Sequence, residues 1–193
     1  MPGTLIAWLT PTARSFLMTT VGWNDSRYPV LTEADIAAFE QENKVLLPAD
    51  YRAFLLKHNG GEPSPRWFDY TDGTEMMLAA VQAFYAIYTK PETETGLSPN
   101  LNLARMFRTF KRMGSPRMPE ELMPIGENGG GNRICLCVSG EHTGCVYYWD
   151  HELECTGGTY EDGTPVTMWD NCYFVANSFT EFLDSLHEDD DED

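Results

Sequence analysis

Cys135, Cys137, His142 and Cys145 follow the order C-x-C-x4-H-x2-C, and thiolate sulfur and imidazole nitrogen are the ordinary ligands of zinc. The spacing does not match the paired C-x2-C knuckles of structural zinc sites. Cys135 and Cys137 are two residues apart, so on a strand they share a face, beside Tyr147 and Trp149 of the next strand. Free cysteine is a common core residue in such a place. His142 falls in the turn between the strands. The set therefore reads as core and turn, and neither a metal nor another cofactor is expected. Asp150-His151-Glu152 puts an imidazole between carboxylates, but no nucleophile or phosphate-binding loop accompanies it. Gly129-Gly130-Gly131 has the freedom to wrap a phosphate. It precedes a strand, however, and lacks the helix N-terminus that such loops exploit. No catalytic set emerges, and the chain is not expected to be an enzyme.

The element that positions these residues runs from Met123 to Glu152. Asn128-Gly129-Gly130-Gly131-Asn132 is a loop, since glycine removes the steric objection to positive φ. Arg133 to Val138 reads as a strand, Ser139 to Gly144 as a turn, and Cys145 to Asp150 as the returning strand. Ile134, Leu136 and Val138 share one face of the first strand, with Cys135 and Cys137 on the other. Val146 and Tyr148 oppose Cys145, Tyr147 and Trp149 on the second. Large apolar groups on both faces place this hairpin inside a sheet. Trp149 is expected in the core and Asp150 toward solvent.

Thirty acids against thirteen bases give a net charge of −17 over 193 residues, and the distribution is uneven. From Ile134 to Asp193 there are fifteen acids and no Lys or Arg. Setting aside the run Glu188–Asp193 leaves nine acids between Ile134 and His187, so the folded body itself must carry an acidic surface. Such a surface disfavours direct nucleic-acid binding and favours a basic partner. A composition of 42% hydrophobic residues suits one globular domain. No apolar run approaches a membrane span, and the patch Leu5 to Leu9 has no basic residue before it, so neither a membrane nor a secretory route is expected. Five cysteines, an odd number, read as free thiols of a cytoplasmic protein.

Elsewhere, residues 1–30 lack clear periodicity and read as an N-terminal arm. Thr32 with Asp35 resembles a capping box for a helix ending near Asn43. Pro48 fits the first position of a second helix, with Tyr51, Phe54, Leu55 and His58 inward and Asn59-Gly60-Gly61 ending it. Arg66 to Tyr70 suggests a short strand before an Asp72-Gly73 turn. Met76 to Tyr88 fits either a buried helix or two strands, with strand favoured from Phe84. Leu101 to Met113 reads as a helix with Leu103, Phe107 and Phe110 inward and Arg105, Arg108, Lys111 and Arg112 outward. That basic strip is either a solvated face or an internal partner for the acidic tail. Val166 to Trp169 and Cys172 to Val175 look like the last strands. Ser178 and Glu181 form a capping box for a final helix, whose apolar stripe is Phe179, Phe182, Leu183 and Leu186.

Four blocks in order resemble the SUKH superfamily, also called the Smi/Knr family. They are LTEADIAAFEQE (Leu31–Glu42), LPADYRAFLLKHNGGEP (Leu47–Pro63), MPIGENGGGNRICLCV…GCVYYWDHE (Met123–Glu152) and FVANSFTEFLDSL (Phe174–Leu186). The family often has an acidic residue where Cys137 stands and an aspartate where Asn132 stands. The insertion Thr89 to Pro119, with its basic helix, is less typical. The resemblance implies a single α+β domain over residues 31–187, with a twisted, mostly antiparallel sheet and helices chiefly on one side. Residues 188–193 are left as an acidic, disordered tail.

Bacterial members of the superfamily are similar to immunity proteins, so the resemblance implies a non-catalytic protein that binds a toxin domain of a polymorphic or contact-dependent system. A basic, nuclease-type toxin fits the charge. The alternative is an intracellular regulatory or scaffold protein like the fungal cell-wall regulators. No small-molecule substrate is evident. Asp150, Glu152, Glu154, Glu161 and Asp162 are the expected electrostatic centre of the partner site, with Tyr147 or Tyr160 as aromatic anchors.

Overall fold

The computed structural model describes residues 21–25, 27–89, 96–111, 116–154 and 157–189. Nine strands and four α-helices lie among the described residues. In chain order they are β1 (Gly22–Asn24), α1 (Glu33–Asn43), α2 (Ala49–Lys57), β2 (Glu62–Ser64), β3 (Trp67–Thr71), β4 (Met76–Ala80) and β5 (Ala83–Phe84). A 3₁₀ turn at Pro99–Leu101 leads into α3 (Leu103–Phe110). Then follow β6 (Leu122–Glu127), β7 (Arg133–Cys137), β8 (Val146–Trp149), β9 (Cys172–Ala176) and α4 (Phe179–Asp184). The main sheet is antiparallel, in the order β5-β6-β7-β8-β9, with β7 at its centre. Two smaller antiparallel ribbons, β1-β2 and β3-β4, complete an α+β architecture.

The β7–β8 hairpin has the expected alternation, and both faces are covered. Ile134 and Leu136 lie opposite Tyr148 and Val146 on adjacent strands. Tyr148 meets Tyr70 at 4.7 Å and Phe68 at 5.7 Å, and Phe68 meets Phe182 of α4 edge-on at 5.2 Å. Phe179 of α4 then packs on Tyr51 and Phe54 of α2, both at 4.9 Å. Helix α1 is tied to α2 by Arg52, which reaches both Glu33 and Glu40. On the other face lies α3, with Phe110 edge-on to Trp149 at 5.3 Å. Trp149 is fully buried and Asp150 only partly so.

Helix ends follow local chemistry. Thr32 Oγ1 accepts the Asp35 amide while Asp35 accepts the Thr32 amide, giving the complete capping box. Pro48 is the cap residue of α2, one position before its first turn. Past α2, Asn59 adopts φ 51° and is 2% exposed. Its amide nitrogen donates to the Pro29 and Ile87 carbonyls and its oxygen accepts from the Ile87 amide, so one side chain fastens three segments. Gly60 follows at φ 89°, where a Cβ would lie 2.9 Å from the Phe84 carbonyl oxygen. Only glycine fits both that torsion and that approach.

The structure corrects several expectations. Gly22–Asn24, within the stretch read as an arm, forms β1 against β2, and Trp23 stacks on His58 at 4.6 Å. Residues 1–20 and 190–193 lie outside the described residues, so most of the arm and of the acidic tail does too. Of Met76 to Tyr88, Met76–Ala80 and Ala83–Phe84 are strands, as the two-strand alternative has it, but the stretch from Tyr85 to Tyr88 where strand was favoured carries only an isolated bridge at Ala86. Helix α3 spans only Leu103–Phe110, because the Asn102 side chain caps the Arg105 amide and fixes its start. Val166 to Trp169 is no strand: Asp170 accepts from the Thr167 amide and hydroxyl and closes a turn there. The final capping box is half-formed. Ser178 Oγ accepts the Glu181 amide at 3.0 Å, but the Glu181 carboxylate reaches the amide of Asn177 instead of Ser178.

Loss of that serine hydroxyl leaves a helix-end donor unpaired. Ser178→Ala is expected to lower stability by about 1 kcal/mol, read as a shift of the urea midpoint at unchanged slope. A midpoint equal to the parent's would mean that the Glu181–Asn177 contact alone holds the start of α4.

Candidate functional site

The glycine loop between β6 and β7 is held from within. Asn128 Oδ1 accepts the amides of Gly130 and Asn132, both at 3.0 Å. The Asn128 and Asn132 side-chain nitrogens both donate to the Tyr148 hydroxyl, at 2.6 and 2.8 Å. Asn132 Oδ1 accepts the His151 amide at 2.9 Å and lies 2.6 Å from His151 Nδ1. Gly131, at φ 102°, lets the imidazole lie where a Cβ would touch its ring at 3.0 Å. Two loop amides that a phosphate would need are thus engaged, and the imidazole that read as acid/base equipment pins a loop to a strand end. Among the described residues no group of three or more His, Cys, Asp or Glu is placed to hold a metal.

The thiols are structural. Cys135 and Cys137 are buried, and burial pushes both thiols up, Cys135 well above the ordinary value. Neither has the electropositive, accessible setting of a reactive cysteine.

The basic strip divides. Arg105 and Arg108 are exposed, and Arg108 Nε donates to Asn43 of α1, with Glu42 at 3.6 Å. Lys111 is not outward as the helix period predicts. Its Nζ donates to the Pro119 carbonyl, and burial lowers its pKa to about 8. Arg112 lies outside the described residues. Arg117 lies over Phe110 and Trp149, at 5.0 and 5.5 Å from the ring centres, and makes a two-point contact with Glu154.

The residues expected at the partner site have different fates. Glu154 is engaged by Arg117. Asp150 accepts the Glu152 amide at 2.9 Å, and its backbone amide and carbonyl both bond Asn171. Glu152, Glu161 and Asp162 are exposed. Asp162 caps its own turn through the Thr164 amide, which holds its carboxyl below the usual range. Tyr160 is exposed, and its hydroxyl donates to Asp170 at 2.9 Å. Asp170 itself is held low by the Thr167 amide first, then by the Thr167 and Tyr160 hydroxyls. Tyr147 is 8% exposed and so is no protruding anchor.

Tyr147 instead lines a recess. Its ring meets Trp169 edge-on at 5.3 Å and the half-exposed Phe174 at 5.9 Å. With Glu121, Cys137, Ser139, Gly140, Glu141 and His142, Tyr147 and Trp169 bound a cavity of about 430 Å³. Glu121 and Glu141 are far from Trp169 in sequence, and only the pairing of β6 with β7 and the Thr167–Asp170 turn bring them together. Nothing in the sequence marked Glu121, Glu141 or Trp169. A second cavity of about 520 Å³ lies beside α1, lined by groups such as Tyr28, Leu31, Phe39, Ile87 and Leu97. Its charged lining, Arg27, Asp35 and Glu42, is of both signs and selects no partner.

One electrostatic fact covers the whole C-terminal part. Among the described residues between Ile134 and His187, Glu154 is the one carboxylate in a salt bridge with Arg or Lys.

The model of the SMI1/KNR4 family (SUKH-1) matches residues 30–185. A relative, the SPbeta prophage-derived uncharacterized protein YokK of Bacillus subtilis (strain 168), is 27% identical over 182 residues, covering 83% of this chain and 77% of the relative.

The lowered value of Lys111 has a consequence for stability. The folded chain binds this proton less tightly than the unfolded chain, whose lysine keeps its ordinary value of 10.5. Unfolding therefore takes up a proton between about pH 8 and 10.5, and stability rises with pH across that window. Lys111→Met removes the titration. The stability of the parent relative to this variant is expected to climb from pH 8 to 10.5, measured by urea denaturation at several pH values. A constant difference would place the ammonium in water.

Proposed function

The chain is a member of the SMI1/KNR4 family (SUKH-1), and we propose that it is a non-catalytic immunity protein. Its partner is a basic toxin domain of nuclease type, from a polymorphic or contact-dependent toxin system. The observation that carries the reading is that, among the described residues, Glu154 is the one acid from Ile134 to His187 with an Arg or Lys partner. A nuclease holds phosphates with Lys and Arg. An inhibitor whose carboxylates are unpaired in the free state offers such a surface its missing counter-charges, and accelerates encounter through the long-range field. Exposed Glu152, Glu161 and Asp162, with Asp150 behind them, are the steering charges. Among the described residues no helix is long and apolar enough to cross a membrane, and Cys135, Cys137 and Cys145 are free thiols. The free thiols suit action in a reducing cytoplasm. The prophage derivation of the Bacillus subtilis relative fits a system carried on mobile DNA.

Co-expression with the product of the adjacent gene tests the reading. A stoichiometric complex and relief of that product's toxicity are expected, and a toxic neighbour that neither binds nor is relieved would refute it. The surface makes a further kinetic prediction. Glu152→Lys together with Glu161→Lys is expected to slow association with that partner and flatten its salt dependence, leaving the dissociation rate and the melting temperature nearly unchanged. Stopped-flow association across a salt series reads this directly. Unchanged kinetics at low salt would move the docking site elsewhere. Glu154 is unsuited to this test, because its reversal would also break the Arg117 contact.

A further inference from the structure

We propose that the recess between the β7–β8 turn and the Thr167–Asp170 turn is a socket for one arginine side chain of a basic protein partner. The inference rests on the reading of this chain as the binder of such a partner, and it names the contact that fixes register once the field has brought the two together.

Three properties of the recess point to a guanidinium. First, its aromatic wall is the Tyr147–Trp169 pair, whose rings stand at 69° to one another, so a planar cation entering the recess meets a π face. Second, the phenol of Tyr147 has no hydrogen-bond partner among the described residues, although the side chain is only 8% exposed and lines the cavity. That oxygen is not sealed from solvent, so it is free to accept an incoming N–H. Third, Glu121 and Glu141 border the same space, and neither has a salt bridge or side-chain hydrogen bond among the described residues. The neighbouring cation, Lys111, is held at the Pro119 carbonyl. The Cys137 thiol is also engaged, donating to Ser139 at 3.1 Å, which leaves its polarizable sulfur as an inert wall.

Arginine fits this set better than lysine. Its flat fork stacks on a ring and still directs several N–H groups at carboxylate and phenol oxygens. An ammonium is a compact, strongly hydrated point that meets the carboxylates but gains less from the rings. The volume of about 430 Å³ holds a side chain and not a folded element, so the occupant projects from a partner surface. Such a buried arginine, ringed by weaker polar contacts, has the anatomy of an interface hot spot.

The probe is the blocked tripeptide acetyl-glycyl-arginyl-glycine amide, compared with its neutral citrulline isostere. Binding is followed by nuclear magnetic resonance at the indole N–H of Trp169, identified by its loss in Trp169→Phe. The arginine peptide is expected to move that signal in a saturable way at millimolar concentration, with the citrulline peptide at least roughly tenfold weaker. Glu121→Gln with Glu141→Gln is expected to weaken the arginine peptide by a similar factor, in a protein whose remaining spectrum overlays the parent's. An unmoved indole, an equal response to citrulline, or insensitivity to the two substitutions would each overturn the socket. The adjacent-gene product separates this inference from the functional reading. If it binds the parent and the double variant equally, the socket falls and the immunity reading stands. If the peptide binds in the recess and the adjacent-gene product does not, the socket stands and that reading falls.

Discussion

Strand β7 has no face that water can wet. Ile134 and Leu136 on one side and Cys135 and Cys137 on the other are all buried, and its partner β8 is buried at every position from Val146 to Trp149. A central hairpin of this kind must be roofed twice. The heavier roof is aromatic: Phe68, Phe182, Phe179 and Phe54 run from Tyr148 out to α2 through a chain of edge and tilted ring contacts. The lighter roof is the short helix α3, which packs on β6 and reaches Trp149 through Phe110. Its deficit is made up by cations laid flat on rings, Arg117 and Arg133 on Phe110 and Arg117 on Trp149. Two residues back along the same face, Tyr147 is beyond the reach of that cover. A surface turn carrying Trp169, together with Phe174 of β9, closes over it instead. The recess is therefore a consequence of how far the smaller roof extends.

The same arrangement decides which charges are free. Arg27, Arg52, Arg108 and Arg133 sit near carboxylates of the stretch before Ile134, and Arg117 crosses to Glu154. The stretch from Ile134 to His187 has no Lys or Arg of its own, and among the described residues its acids receive only Arg117 from elsewhere. Several instead accept backbone amides in their own turns, as Asp162 and Asp170 do. Those bonds keep the carboxyls ionised, so the turn chemistry that shapes the surface also fixes its sign.

The sequence made the central hairpin legible because period-two alternation survives without knowledge of the fold. The helix starts at Thr32 and Ser178 were legible for a related reason, since a cap needs only neighbours three residues away. Where tertiary context entered, local signals failed. Gly22–Asn24 is too short to show a period, and its strand exists because Glu62–Ser64 lies beside it. Val166 to Trp169 has strand-like residues, but the Asp170 carboxylate draws the Thr167 amide into a turn. Lys111 belongs to the solvated side of α3 by periodicity, yet a carbonyl eight residues on captures it. Of the candidate site, the acidic character was readable from composition, whereas the burial of Tyr147 was not. Its ring lines a recess and does not protrude, because the Thr167–Asp170 turn brings Trp169 against it.

The two halves of the proposed interface have different physical tasks, and the fold separates them accordingly. Exposed carboxylates such as Glu152 and Glu161 act through water over about a Debye length of roughly 10 Å, which attracts any basic protein and discriminates poorly among them. Discrimination requires groups that are satisfied by the right partner and left wanting by the wrong one. Exposed carboxylates cannot supply this, because water satisfies them in the free state. The proposed recess can, because a flat guanidinium meets the Tyr147 and Trp169 rings and the Glu121 and Glu141 carboxylates together, which a cation of another shape does not. A partner that covers the recess without supplying a cation dries those two carboxylates and leaves them uncompensated, at the cost that accompanies any stranded charge. In this proposal the acidic field sets how often basic proteins arrive, and the recess sets which of them stays.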